Sequence, residues 1–305
     1  MSMKQIKPGT LKRMLLAGIL GIASCVAFAQ DAQRSFESPE AAAKALVAAA
    51  AADDEAALVD IFGAKYRTTF STADHAQDRE ARARFAKAAA QYQLLRPERD
   101  GRVTLLVGTD AWPLPIPLVR SGATWHFDSA AGAEEMVNRR IGANELAAIR
   151  VMTSYGQAQQ LYASTARDST GVHQFAQRLG STPGKKDGLY WEAAPGEPAS
   201  PFGPLLKDAS GRQPGEPYYG YYYRVLKGQG AAAPGGRYSY IINGRMVAGY
   251  ALLAYPAQYG VTGIKSFIVN HYGDVYEKDL GAKTGPLAAG ITEYNPDKSW
   301  SRVVD

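Results

Sequence analysis

The period of the hydrophobic pattern changes twice along this chain, and that order constrains the fold more than any single motif. Helical spacing comes first. Ser38 before Pro39 makes an N-cap with proline at the first helical position, and Ala43, Leu46, Val47 and Ala50 then share a face. Asp53 is placed to cap a second helix carrying Ala56, Leu58, Val59 and Phe62, which Gly63 would end. A third helix runs from about Asp74 to Tyr92, with Phe85, Ala88, Ala89 and Tyr92 on one side. Its Asp78-Arg79-Glu80-Ala81-Arg82-Ala83-Arg84 run alternates in sign and reads as a solvated face. Alternation of period two follows. Asp100-Gly101 is a hairpin signal, and Val103, Leu105 and Val107 alternate after it. Leu114, Ile116 and Leu118 alternate between Pro113, Pro115 and Pro117, which predicts an edge strand, because proline cannot donate to a ladder. Ser121-Gly122 turns the chain into Thr124-Trp125-His126-Phe127, with Trp125 and Phe127 inward.

The helical period then returns. Residues 131–140 read as helix, Gly142 interrupts, and Asn144 caps a longer helix to about Ser164 with Ala148, Met152, Tyr155 and Tyr162 as its apolar stripe. Residues 165–217 are rich in Gly, Pro and charge, which predicts short helices or a mobile segment. The last third reads as antiparallel sheet. Tyr219, Tyr221, Tyr223 and Val225 alternate, Met246 to Tyr255 form another strand, and Ile264–Asn270 with Asp274–Leu280 form a hairpin near Tyr272-Gly273. The expected class is α+β: N-terminal helices plus an antiparallel meander (30–130), then a helix packed on a C-terminal antiparallel sheet (131–305).

Residues 1–29 read as a signal peptide. Lys4, Lys7, Lys12 and Arg13 precede the apolar stretch Met14 to Phe28, and Ala27-Phe28-Ala29 before Gln30 is an A-x-A site, with cleavage expected between Ala29 and Gln30. Ile22-Ala23-Ser24-Cys25 loosely resembles a lipobox, so lipid anchoring through Cys25 is the alternative to a periplasmic or secreted protein. Cys25 is the only cysteine, and cleavage leaves none for disulfides or thiolate metal sites. The chain has 34 basic and 29 acidic residues, but removing the four leader cations leaves 30 against 29. That near-balance removes the basic surface nucleic-acid binding needs. No later segment is apolar enough for a membrane span.

The helix-then-meander order of the N-terminal part resembles the small cone-shaped folds related to nuclear transport factor two. More specifically, Tyr218-Tyr219-Gly220-Tyr221-Tyr222-Tyr223-Arg224-Val225-Leu226, Ala233-Pro234-Gly235-Gly236, Tyr255-Pro256-Ala257-Gln258-Tyr259-Gly260-Val261-Thr262-Gly263 and Phe267-Ile268-Val269-Asn270 resemble a bacterial family of secreted proteins catalogued as domain of unknown function 2950. Trp125-His126-Phe127-Asp128 and Arg139-Arg140-Ile141-Gly142-Ala143-Asn144-Glu145-Leu146 fit the same family, over nearly the whole chain after residue 29. The resemblance implies export and no particular activity. The C-terminal part, with Ala158-Gln159-Gln160-Leu161-Tyr162 before the meander, also resembles the globular half of pilins and pseudopilins. It departs from them in placing its helix in mid-chain, and that helix is amphipathic.

A catalytic constellation is not expected. His75, His126, His173 and His271 have no partners at ligand spacing, and neither G-x-S-x-G nor S-x-x-K occurs. Lys283-Thr284-Gly285 stands alone, and Asp53-Asp54-Glu55 and Glu134-Glu135 read as helix starts. No metal or other cofactor is expected. Twelve of the 18 tyrosines fall between Tyr218 and Tyr276. In an extended strand Tyr219, Tyr221 and Tyr223 share one face while Tyr218 and Tyr222 take the other; with Tyr255 and Tyr259 they are the candidate ligand or partner surface, with Tyr218 and Tyr222 as an exposed pair. The expected function is a non-catalytic binding or assembly-accessory module of the cell envelope, with an envelope protein or a glycan as partner. The alternatives are a glycan- or peptidoglycan-binding module using exposed tyrosines, and an envelope hydrolase whose carboxylates converge only in the fold.

Overall fold

The computed structural model describes residues 33–167, 169–194, 196–203 and 215–304. The segment expected to be a signal peptide, its expected cleavage between Ala29 and Gln30, and Cys25 lie outside the described residues.

Helix α1 (Pro39–Ala51) begins as its sequence dictates, with the Ser38 hydroxyl accepting the Ala41 N–H at 3.1 Å. Helix α2 (Glu55–Phe62) is capped by Asp54, one residue later than expected, and ends at Gly63, whose φ of 89° suits glycine. Asp53 takes the tight link before it (φ 55°) and spends its carboxylate on Arg82 at 2.6 Å and Arg79 at 3.3 Å. After a 3₁₀ segment (Ala64–Thr69), α3 (His75–Gln91) starts one residue after the expected Asp74, which caps it by accepting the Gln77 N–H. It ends before Tyr92, which is extended and exposed and does not join the apolar face.

The meander follows as an antiparallel sheet. β1 (Gln93–Pro97) and β2 (Val103–Val107) form the hairpin around Asp100-Gly101. β3 (Trp112–Pro113) pairs with β2, and β4 (Leu118–Ser121) lies between β2 and β5 (Thr124–Phe127). The edge strand expected across Leu114–Leu118 does not form. Pro115 and Pro117 occupy the link from β3 to β4, so the prolines step around the ladder while Leu114, Ile116 and Leu118 still reach the core. Phe36 closes the far side of β5 by exchanging backbone bonds with Trp125 at 2.7 and 2.8 Å. Phe62, Ile61, Leu105, Leu118 and Phe127 centre this first apolar cluster.

Helix α4 (Ser129–Ala163) runs unbroken for 35 residues, where the sequence suggests an interruption at Gly142 and a cap at Asn144. A solvent-side glycine costs a helix only about 1 kcal/mol, and Asn144 is buried with tertiary partners that outweigh its capping preference. The boundary placed between residues 130 and 131 falls in the first turn of this helix. Near its start Gly132 packs so closely on Pro115 that a Cβ there would land on the Pro115 carbonyl.

The C-terminal part is a helix on an antiparallel sheet, as expected. β6 (Tyr221–Leu226) is followed by two short ladders, β7 (Gly228–Gln229) with β8 (Tyr238–Ser239) and β9 (Ile241–Ile242) with β10 (Arg245–Met246). Then come β11 (Ala251–Pro256), β12 (Lys265–Asn270), β13 (Tyr276–Asp279), the short helix α5 (Thr284–Gly290) and β14 (Ser301–Arg302). The main sheet has the order β14-β13-β12-β11-β6. β11 and β12 are buried along almost their whole length, on both faces, because α4 and α5 both pack on β11. Tyr155, Phe202, Tyr221, Tyr240, Phe267 and Tyr294 lie in this second cluster. The described parts of the long irregular segment are tied in. Phe175 bridges Met246, Ala176 exchanges two bonds with the buried Gln159 amide at 2.8 and 2.9 Å, and Leu189 and Phe202 are buried. Among the described residues no helix is long and apolar enough to cross a membrane.

Candidate functional site

A cavity of about 610 Å³ opens in the N-terminal part, walled by α1, α2, α3, β2 and the first half of α4. Leu46, Leu58, Phe62, Phe70, Phe85, Ala88, Val107, Trp112, Leu114 and Met136 give it largely apolar walls. Thr69, Gln77, Asp78, Arg82, Arg140 and Asn144 line one polar corner, and Arg84, Gln91, Thr109 and Asp110 also line the space. That size and composition fit a small-molecule site, a few convergent polar groups in an apolar cleft.

Helical periodicity brings this corner together. Asp78, Arg82, Phe85 and Ala89 are four, three and four residues apart, so they stand on one face of α3. The sign-alternating run is therefore not wholly a solvated face: Asp78 is buried, and the Arg82 side chain is 11% exposed. Asp78 turns its carboxylate to the loop before the helix, accepting the Thr72 N–H at 2.6 Å and the Thr72 hydroxyl at 3.1 Å. Burial raises its pKa above the ordinary aspartate value, although Thr72, Arg140 and Arg82 all pull the other way. Arg82 donates to Asp53 at 2.6 Å and to the Phe70 carbonyl at 3.1 Å. Arg140 reaches in from α4 and donates to the carbonyls of Thr68, at 2.7 Å, and Thr69. Burial lowers its pKa, against the pull of Asp78.

The same corner joins the cavity to the C-terminal sheet. Gln77 donates its amide to the Asn144 side-chain oxygen at 2.7 Å, and Asn144 donates to the Thr262 carbonyl at 2.9 Å. The Gln77 side-chain oxygen is buried without a partner. Asp74 accepts the Gly220 N–H at 2.8 Å, and Gln258 accepts the Ala73 N–H at 2.9 Å. One residue beyond Asn144, the Glu145 carboxylate accepts the N–H groups of Ile264 and Lys265, each at 2.9 Å.

The seven tyrosines expected to form a surface are divided by the fold. The strand begins only at Tyr221, so Tyr218, Tyr219 and Gly220 form a turn, with φ of 50° at Tyr219 and 72° at Gly220. Tyr218 is therefore buried and not half of an exposed pair with Tyr222. Tyr221 is fully buried and donates to the Lys265 carbonyl at 2.8 Å. Tyr219, Tyr222, Tyr223, Tyr255 and Tyr259 are half-buried. Tyr219 leans on Tyr218 with ring centres 4.3 Å apart, and Tyr222 faces Tyr255 across the β6–β11 register at 5.6 Å. Tyr259 donates to Asp279 at 3.3 Å.

Of the four histidines, His271 is the one ringed by aromatics, with Tyr240, Tyr250 and Tyr272 around it. Burial lowers its pKa. No group of three or more His, Cys, Asp or Glu side chains among the described residues is arranged to hold a metal ion.

The family described as a protein of unknown function, DUF2950, matches residues 33–303. No curated protein and no solved structure matches the chain.

Proposed function

The chain belongs to the DUF2950 family, whose description assigns no activity, and from that premise we propose that it is an exported cell-envelope protein acting by binding, with a small, mainly apolar molecule held in the N-terminal cavity. The observation that carries this reading is the cavity itself: about 610 Å³ of space with largely apolar walls and a small number of polar groups among them. Export is supported by the leader and the Ala29–Gln30 site. Mass spectrometry of protein from a bacterial host is expected to find an N-terminus at Gln30, and a lipidated Cys25 at the terminus would replace this with a membrane-anchored protein.

Binding is favoured over hydrolysis by what the carboxylates do. Among the described residues two line the cavity, Asp78 and Asp110. Asp110 is exposed in a turn, and Asp78 already accepts two donors from Thr72. The half-buried pair Tyr222 and Tyr255 supports a second reading, a contact for an envelope protein or glycan on the C-terminal sheet. An assembly-accessory, pilin-like role draws its support from the helix-over-sheet layering of the same half.

The cavity reading is tested with Nile red, a neutral dye that brightens in apolar surroundings. Ala81 lines the cavity yet is exposed, so Ala81→Trp fills the space without invading the core. The full chain is expected to bind the dye and the variant to bind it at least about tenfold more weakly. Equal binding by the two proteins overturns the reading.

A further inference from the structure

Given that the cavity is a binding site, we propose that its ligand is a singly charged amphiphile, a carboxylate whose head is held by Arg140 while its chain lies against Phe85 and Trp112. Charge is not balanced inside the cavity. Of the three arginines that line it, two have carboxylate partners: Arg82 with Asp53 at 2.6 Å and Arg84 with Glu80 at 3.7 Å. Arg140 has none among the described residues; its hydrogen bonds go to the carbonyls of Thr68 and Thr69. A guanidinium carries five N–H donors and its full charge, and placing it beside apolar walls without an anion is unfavourable.

Asp78 is the nearest internal candidate to supply that anion, and the fold directs it elsewhere. Its oxygens serve the Thr72 N–H and hydroxyl. A ligand carboxylate matches the planar fork of Arg140. A doubly charged phosphate is disfavoured, because the Thr68 and Thr69 carbonyl oxygens already accept from the same guanidinium. The apolar walls then account for the rest of the molecule.

The experiment is displacement of Nile red from the full chain by decanoate, decanol and decyl phosphate, which share a tail and differ in head. Decanoate is expected to displace the dye at concentrations about tenfold lower than decanol or decyl phosphate. Arg140→Gln should bring decanoate down to the level of decanol without changing decanol itself, and Arg140→Lys should restore part of the difference. Equal displacement by decanoate and decanol from the unaltered protein overturns the head-group assignment while leaving the cavity reading in place. Tighter displacement by decyl phosphate overturns the single charge. Failure of every compound to displace the dye, or displacement untouched by Ala81→Trp, removes the cavity reading as well. The comparison of heads on the unaltered chain decides the matter even if the Arg140 variants fold poorly.

Discussion

Asn144 lies in the middle of α4 with both ends of its amide engaged, by Gln77 at 2.7 Å and by the Thr262 carbonyl at 2.9 Å. Leucine has the same branched shape, a larger volume and neither bonding group, so Asn144→Leu leaves a buried donor and a buried acceptor without partners and crowds Gly220. The expected loss is about 2–4 kcal/mol, read from urea unfolding. The tyrosines separate in the same assay. Tyr218→Ala, at a position 7% exposed, should cost about 3 kcal/mol, whereas Tyr222→Ala, half-buried, should cost about 1 kcal/mol; similar losses at both would contradict the turn that buries Tyr218. Asp78 adds a dependence on pH. Its folded pKa is raised, so the folded protein holds that proton more tightly than the unfolded chain does, and this group's contribution falls as pH rises from the ordinary aspartate value of 3.8 through the raised one. Relative to Asp78→Asn, the unaltered protein should therefore gain stability as pH is lowered through that window, and a relative loss would show that Thr72 and the arginines dominate over burial. Asp78 and Arg82 were legible in part. Their spacing from Phe85 and Ala89 already puts them on the apolar face, but alternating charge is the stronger cue to a solvated surface and points the wrong way.

At the scale of elements, local chemistry was read most easily where it is self-contained. Ser38, Asp74 and Asp100-Gly101 do locally what their residue types favour. The departures arise where tertiary contacts decide. The prolines after Trp112 suggest an edge, but only the packing of Ile116 and Leu118 shows that the chain skirts the ladder and re-enters the sheet. Two glycines of α4 make the point quantitatively. Gly142 is exposed, with open space where a Cβ would stand, so Gly142→Ala should stabilise the protein by about 0.5–1 kcal/mol. Gly132 is pressed on Pro115, and Gly132→Ala should destabilise by about 2 kcal/mol or more, because backbone must move. Thermal melts of the two variants shifting in the same direction would count against an unbroken, closely seated helix.

For the molecule as a whole, composition and periodicity disclosed the α+β class and the sequence of layers, but not the cavity. A cavity is a property of how α1, α2, α3 and α4 stand off from β2, and no residue pattern along one element records that distance. Nor did the sequence disclose the polar bonds between the two apolar clusters, since Ala73, Asp74 and Asn144 lie far from Gln258, Gly220 and Thr262 in the chain. These bonds predict cooperativity. The full chain should melt in a single calorimetric transition, and Asn144→Leu combined with Asp74→Ala should divide it into two, the N-terminal part first because Asp74 also caps α3. A single transition merely shifted downward would show that apolar packing alone couples the halves.

Helix α4 also has a mechanical meaning. Thirty-five residues make a rod about 52 Å long. One end is seated on Pro115 through Gly132, and towards the other Gln159 is bonded to Ala176. Asn144 and Glu145, bonded to Thr262, Ile264 and Lys265, stand almost at its midpoint. The rod is thus a lever with its fulcrum at the centre. A tilt of a few degrees leaves those bonds nearly undisturbed while carrying each end roughly 1–2 Å in opposite directions, so small movements where Gly132 meets Pro115 and at the far end by Tyr162 are geometrically one movement.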